Sequence, residues 1–410
     1  MRWRSKQLGE IAYTTDYVSN GSFASLKANV TYQYQKSFAI LLRTTDYVKN
    51  WKKDFVYVDE SSFNFLKKST VEVGDLVISN VGNPGIVFLA PDLGQPMTMG
   101  PNAILIRCNE NCTNAFLLRL FQAPIGRKMI SAITTGTTQL KFNKTNLRAL
   151  NIPIPPLEEQ ERIVEVLDEA FAAIDKAKAN IERNLTNARE LFQSRLNDIF
   201  SNPSEDWEVR PLGEIAKRVC VGHVGSTSKY YVDEGGVPFF RTGDLRNEYL
   251  SLPASKSIQA EFHEKLVKSQ LNANDLVISR VISERVICSI VPSGIAQANC
   301  ANVVIAKIGD EQSAKFLSAQ LSSKNSQDYF LGNKVGSAQQ VVNTKILSAW
   351  PVLWPPHDEQ KKIITELDTF RDLRKTLEVH YQTELDNLEE LRQSILEQAF
   401  EGKLTEPVAA

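Results

Sequence analysis

Cys108 and Cys112 stand four positions apart, close to the spacing of half a thiolate metal site. No His or Cys pair lies near enough in sequence to complete four ligands, so the expectation is two ordinary thiols and no metal. The four histidines, His223, His263, His357 and His380, are scattered, and none has a nucleophile and a carboxylate at a recognisable triad spacing. A phosphate-cradling loop of the form GxxxxGK[ST] is missing from the sequence. So is an Asn- or Asp-Pro-Pro-aromatic run of the kind found in amino-methyltransferases. No residue is therefore assigned a catalytic role.

The remaining polar residues suit binding. Arg43-Thr44 precedes Asp46, and Arg241-Thr242 precedes Asp244. Each guanidinium either reaches a phosphate or a guanine edge, or holds a turn through an ion pair with the Asp. Thr137, Thr138, Gln139 and Lys141, with Ser337, Gln339 and Gln340, are donors in loops of small residues. Gln can bond adenine bidentately and hydroxyls can bond phosphate; a plain connection is the competing reading. Asn80, Asn83, Arg280 and Arg285 flank the segment after a strand, where loops on a rigid frame usually carry binding residues. Lys49, Lys52 and Lys53 surround Trp51, as a backbone clamp or as a solvated face.

These candidates come in pairs because the chain is duplicated. Trp3 and Leu8-Gly9-Glu10-Ile11-Ala12 return as Trp207 and Leu212-Gly213-Glu214-Ile215-Ala216. Asp75-Leu76-Val77-Ile78-Ser79 returns at 275–279. From Gly136 to Phe200 the offset stays at 200, with 20 identities in 65 positions, a register that chance does not keep. Residues 13–70 and 217–273 share little beyond the Arg-Thr-x-Asp motif. One scaffold thus appears twice with unlike inserts, which suits a chain that reads two different things. Short β-branched runs predict strands at Leu76–Ser79, Ile86–Ala90 and Ala103–Arg107, and at Leu276–Ser279, Val286–Val291 and Asn302–Ala306. Helices are expected over Asn114–Ser131 and Ser313–Leu331, followed by extended Pro-rich segments ending in Pro155-Pro156 and Pro355-Pro356.

Residues 158–200 and 358–401 contain neither Pro nor Gly, so each predicts one helix of roughly 60 Å. Heptad spacing places Ile163, Leu167, Ala170, Ile174, Ala177, Ile181, Ala188 and Leu191 in one seam. Its counterpart holds Ile363, Leu367, Phe370, Leu377, Tyr381, Leu388, Leu391 and Ile395. Asn184 and Glu384 sit at the same seam position and are candidates for setting register. The two helices are expected to pair antiparallel within the chain, putting the globular domains at opposite ends around a pseudo-twofold. The expected fold class is α+β: two mixed α/β domains separated by an antiparallel coiled coil. The domains are read as 1–150 and 207–350, with helical spacers at 151–206 and 351–410.

Charge follows the same division. Residues 1–150 hold 18 Lys+Arg against 10 Asp+Glu, whereas 351–410 hold 7 against 13. Basic globular parts suit contact with an anionic polymer. Five cysteines in 410 residues, an odd and sparse number, fit a reducing cytoplasm. No signal peptide is expected from the first residues, and the sequence has no run of the ~20 apolar residues a bilayer requires.

Pro-Pro-Leu-Glu-Glu-Gln-Glu-Arg-Ile-Val at 155–164, repeated as Pro-Pro-His-Asp-Glu-Gln-Lys-Lys-Ile-Ile at 355–364, resembles the specificity subunits of type I restriction–modification enzymes. Gly74-Asp75-Leu76-Val77-Ile78-Ser79, Gly136-Thr137-Thr138-Gln139 and Arg241-Thr242-Gly243-Asp244-Leu245 look like that family's target-recognition domains. The resemblance spans essentially the whole chain and implies a non-catalytic subunit that binds no cofactor itself. It implies that each domain reads half of a split, asymmetric site in double-stranded DNA while the helices fix the unread spacer. Two methyltransferase subunits, using S-adenosylmethionine, would dock on the helices, along the Pro-Pro segments and acidic faces such as Glu161, Glu165, Asp168, Glu169, Glu366, Asp368 and Asp372. A restriction subunit using ATP and Mg can join them, in a bacterial or archaeal cytoplasm. The second copy departs from the pattern at Asn274 and at Val281-Ile282-Ser283, so a different turn is expected there. A protein-binding scaffold and an enzyme with an unrecognised site are the competing functions.

Overall fold

The structure, a computed structural model, describes residues 3–52, 54–282, 284–336 and 340–404. The chain divides into two compact units, Met1–Ile181 with Thr383–Ala410, and Glu182–Gln382. Each combines a mixed α/β domain with a length of both long helices.

In the first unit, strand Arg4–Gln7 pairs antiparallel with Asn151–Ile154, closing the domain just before the helix begins. A four-stranded antiparallel sheet runs in the order Ala12–Asp16, Ala103–Cys108, Leu76–Ser79, Val87–Leu89. Its central strand is buried throughout, and alternation sends its residues to two cores. Leu76, Ile78, Ile104 and Ile106 join a cluster with the helices, while Val77, Ala103 and Leu105 join one with the second sheet. That second sheet has five strands, in the order Tyr32–Gln33, Tyr57–Val58, Ala39–Leu42, Met97–Met99, Thr70–Val71.

The second unit repeats the plan. Glu208–Pro211 pairs with Pro351–Trp354. Its first sheet runs Arg218–Val221, Val303–Lys307, Leu276–Ser279, Cys288–Ile290, with Glu248–Tyr249 added as a parallel edge. Its second runs Tyr231–Val232, Ser257–Ile258, Val237–Phe240, Ala298–Cys300, Gln270–Leu271.

The strand at Leu76–Ser79 and its copy at Leu276–Ser279 form as expected. Each expected single domain helix is instead two. Asn114–Gln122 and Pro124–Ile133 are separated by an extended Ala123, because Pro124 has no N–H to continue the ladder and suits a first turn. Gly126 lets the two helices turn this tightly: a Cβ there would lie 2.0 Å from the Leu120 carbonyl oxygen. In the second copy Glu311–Leu321 and Lys324–Asn333 break at Ser322-Ser323, where the Ser323 hydroxyl donates to the Gln320 carbonyl at 2.6 Å.

The long helices span Leu157–Ser201 and His357–Phe400. Gln160 and Gln360 explain the motif at their starts. Both are buried, and each amide donates to the carbonyl of the first proline at 2.9 Å. Gln160 also accepts from the Thr113 N–H at 3.0 Å, tying helix to domain. Within the second unit Arg195 meets Glu366 at 2.5 Å and Arg189 meets Glu378 at 2.9 Å, an antiparallel progression. Within the first, Arg392 meets Asp175 at 2.7 Å. There Leu396, Ala399 and Phe400 enter the core of Ile163, Leu167, Phe171 and Ile174.

The heptad seam needs one correction. Leu191 and Leu391 are exposed, and Phe192, Leu196 and Leu396 are covered instead. A helix of 3.6 residues per turn drifts by ~20° per heptad, and four heptads accumulate nearly one residue position. Asn184 is likewise exposed rather than in the seam. Among the described residues no helix is long and apolar enough to cross a membrane.

Candidate nucleic-acid interface

In each unit the loops carrying most of the sequence-picked residues gather at one end of the two sheets. In the first, the chain leaves Ala39–Leu42 at Arg43-Thr44, and the Gly100 N–H donates to the Leu42 carbonyl at 2.8 Å. Two residues on, the Asn102 carbonyl accepts from the Asn80 N–H at 3.1 Å. Asn80 in turn exchanges hydrogen bonds with Phe142: its carbonyl accepts at 3.0 Å and its side-chain amide donates at 3.1 Å. Val81-Gly82 then pairs with Leu140-Lys141. Two backbone hydrogen bonds between Thr135 and Lys141 close the loop, and it turns on Gly136, whose φ of +109° no side chain tolerates well. Asn83, Thr137, Thr138, Gln139 and Lys141 are exposed here, while Arg43, Thr44 and Asn80 are half-buried.

Buried residues behind this surface fix the loops. Ser79 donates its hydroxyl to the Asn83 carbonyl at 2.5 Å and accepts from the Ile86 N–H at 2.9 Å. Ser279 accepts from the Ile287 N–H at 2.9 Å in the same way. Asp75 takes a bidentate pair from Arg107 at 2.6 and 2.8 Å, and Asp275 takes Lys307. Burial raises the Asp275 carboxyl above the ordinary range despite that lysine. The repeated Asp-Leu-Val-Ile-Ser is thus framework. Asn274 takes the left-handed backbone of Gly74, at φ +68° against +87°, so the substitution conserves the turn.

The second unit assembles the same loops. The Ala301 N–H donates to the Phe240 carbonyl at 3.0 Å, and the Thr242 hydroxyl donates to the Asn302 carbonyl at 3.5 Å. The Val342 N–H donates to the Arg280 carbonyl at 2.8 Å and the Ile282 N–H to the Gln340 carbonyl at 3.1 Å. The segment after the strand keeps the first copy's pairing, with 340–342, but the hairpin differs as expected: the Ser279 N–H donates to the Ile287 carbonyl at 2.8 Å, one residue further on than Ser79 to Ile86. Gln340 is exposed; Ser337 and Gln339 lie outside the described residues. Arg285 does not join the cluster. It donates to the Asn247 side chain at 2.8 Å and lines a cavity beside the helices with Arg189, Arg371 and Arg374.

Sequence reasoning missed the turns at Asn102 and Asn302, which organise both ends with φ of +70° and +56°; the repeated Asn at offset 200 was the available signal. It also missed His223, whose carbonyl accepts from the Asn302 N–H at 3.1 Å. The basic cluster is less available than its composition suggests. Trp51 packs against Phe88 and Tyr47, Lys49 faces Asp54 at 3.9 Å, and Lys53 lies outside the described residues. Three acidic residues assigned to outer helix faces are engaged within their units: Asp168 with Arg119, Glu366 with Arg195 and Asp368 with Arg371.

Cys108 is held above the usual thiol range by its hydrogen bond with Cys112 and by burial, and burial pushes Cys288 up to about 12. Among the described residues no group of His, Cys, Asp and Glu could hold a metal ion.

Comparison with known proteins accounts for both halves. The model of the type I restriction modification DNA specificity domain matches residues 2–185 and again 204–387. The type I restriction enzyme EcoKI specificity subunit of Escherichia coli strain K12 is 23% identical over 402 residues, covering 91% of this chain and 86% of that one. A putative type I restriction enzyme MjaX specificity subunit from Methanocaldococcus jannaschii is 25% identical over 377 residues, covering 85% and 82%. Solved structures share the fold. A chain from a study of complex assembly and conformational transition of the type I R-M system gives a TM-score of 0.72 at 19% identity, covering 98% of both chains. The HsdS subunit of Thermoanaerobacter tengcongensis gives 0.56 at 19%, covering 98% of this chain and 97% of that one. With the same domain matched once in each half, the chain belongs to the type I restriction–modification DNA specificity family.

Proposed function

We propose that this chain is the non-catalytic, DNA-reading subunit of a type I restriction–modification complex, each half reading one part of a split, asymmetric site. Residues 1–150 and 207–350 are the readers. Segments 151–206 and 351–410 set the unread gap and dock two methyltransferase subunits. S-adenosylmethionine then belongs to the methyltransferase, and ATP and Mg to a restriction subunit where one joins. A cytoplasmic setting, where double-stranded DNA is found, fits this reading.

One observation carries it. The same cluster of loops is built twice on the same framework, by Asp75 and Ser79 and by Asp275 and Ser279, yet the side chains presented differ. Asn80, Asn83, Thr137, Thr138, Gln139 and Lys141 occupy one cluster, with Arg43 and Thr44 beside them. Arg241, Thr242, Arg280 and Gln340 occupy the other, with Ser337 and Gln339 in the sequence between. Identical frames with unlike tips suit two readers of unlike sequence.

Co-expression with the methyltransferase encoded beside it, followed by mapping of methylated adenines, tests the proposal. The expected motif has two unlike blocks separated by a fixed gap; a palindrome or a single block overturns it. For the complex, log affinity for DNA should fall linearly with log salt, which a protein-binding scaffold would not show.

A further inference from the structure

The two Arg-Thr-x-Asp motifs dispose of their guanidinium groups in opposite ways. In the first unit Arg43 gives Nε and Nη2 to the two Asp46 oxygens at 3.2 and 2.6 Å, and Nη2 also donates to the Asp54 carbonyl at 3.0 Å. Asp46 is buried, and the Arg43 N–H caps it at 2.9 Å. The guanidinium is spent on the fold. In the second unit the Arg241 N–H makes the same cap at 2.8 Å. There the carboxylate is otherwise satisfied by Ser255, whose N–H and hydroxyl donate to Asp244 at 2.9 and 3.1 Å. Among the described residues Arg241 forms no ion pair. Its guanidinium rests over the Tyr231 ring, 5.8 Å from the centroid, and its buried Nε has no hydrogen-bond partner.

The following strand shows the same contrast. Asn80 spends its amide on the Phe142 carbonyl. Its counterpart Arg280 is half-buried, and its carbonyl accepts from the Val342 N–H at 2.8 Å. No carboxylate lies within ion-pair distance of Arg280 among the described residues. Among the described residues, two guanidinium groups thus stand without an ion-pair partner at one end of the second unit, beside the Asn302 turn, and none of the first unit's cluster residues matches them.

We propose that Arg241, supported by Arg280, reads a guanine in the half-site of the second unit, and that Arg43 is a framework residue that reads nothing. This rests on the DNA-reading function proposed above. A guanidinium presents two parallel N–H donors that fit guanine O6 and N7, the commonest specific major-groove contact. Arg43 cannot do this without abandoning a buried carboxylate. Stacking on Tyr231 limits the rotamers Arg241 must lose on binding, which favours a pre-set reader over a mobile phosphate clamp.

The test maps methylation by the full complex carrying Arg241→Gln, Arg241→Lys or Arg43→Gln. Both Arg241 variants should relax one G·C position in one half-site, with discrimination falling roughly 5- to 150-fold, and leave the other half-site and the gap unchanged. Lys keeps the charge but loses the paired donors, so it separates guanine reading from phosphate contact and stands in if the Gln variant folds poorly. Arg43→Gln should lower the melting temperature and change neither half-site. A uniform loss of methylation across sequences with Arg241→Gln, restored by Arg241→Lys, would make Arg241 a phosphate contact and overturn the proposal. So would an altered half-site with Arg43→Gln. If the unaltered chain directs no split motif at all, the DNA-reading function itself fails, and that outcome is visible before any variant is made.

Discussion

At the scale of single residues, equal sequence does not mean equal role. Arg43 and Arg241 sit in matching motifs, and the sequence leaves both open as base contacts or turn-holders. The difference arises at Ser255, eleven residues beyond Asp244, which no local pattern links to it. Asp75 and Ser79 are identical to Asp275 and Ser279 because both copies need the same brace, and that identity was legible. Their bracing role was not, since it depends on Arg107 and Lys307 arriving from a neighbouring strand. Gly126 offers a direct check on backbone geometry. Gly126→Ala would press a methyl group into the Leu120 carbonyl and should cost about 2–3 kcal/mol, read as a lower denaturant midpoint with an unchanged slope.

At the scale of elements, the long helices were the most legible part, because Pro and Gly fall only at their borders and the apolar period persists. The strict heptad was not reliable to their ends, since a helix keeps its own period and the seam drifts off Leu191 and Leu391. The covered stretches also carry a crossed pair that periodicity cannot show. In the first unit Arg392 lies over Phe171, 4.3 Å from the ring centroid. In the second, Phe192 lies under Arg371 and Arg374 at 5.8 and 5.0 Å. Positions 171 and 371 are counterparts, as are 192 and 392, so the same contact is made twice with its partners exchanged. Each helix therefore fits the other better than a copy of itself, because pairing two C-terminal helices would set Arg371 against Arg392. Phe171→Arg removes a core aromatic and sets a third cation beside Arg119 and Arg392, so it should destabilise the first unit by about 3–5 kcal/mol, and adding Arg392→Phe should recover part of it. A double-mutant cycle on thermal stability measures the coupling; additive losses would show that the contact is incidental.

At the scale of the whole molecule, duplication was plain in the sequence, whereas the division into units was not. Sequence composition separates globular from helical segments, but the compact units cut across both helices, taking residues 383–410 into the first and 357–382 into the second. Packing decides this: Phe400 lies 5.5 Å from Phe116, ring centre to ring centre, and with Leu396 and Ala399 it completes a core whose other buried members come from the first 181 residues. Phe400→Ala should cost the first unit about 3–5 kcal/mol and leave the second unaffected, so that calorimetry shows one transition shifted. The same feature bears on the order of events during synthesis. Chains are made from the N-terminus and usually fold domain by domain in that order. Here the second unit is contiguous and has all its parts once residue 382 has emerged, while the first must wait for Leu396, Ala399 and Phe400. The half that leaves the ribosome first is completed last. A message cut short before residue 383 would yield a folded second unit joined to a first with Ile163, Leu167 and Phe171 uncovered, a product that chaperones and proteases can recognise and remove.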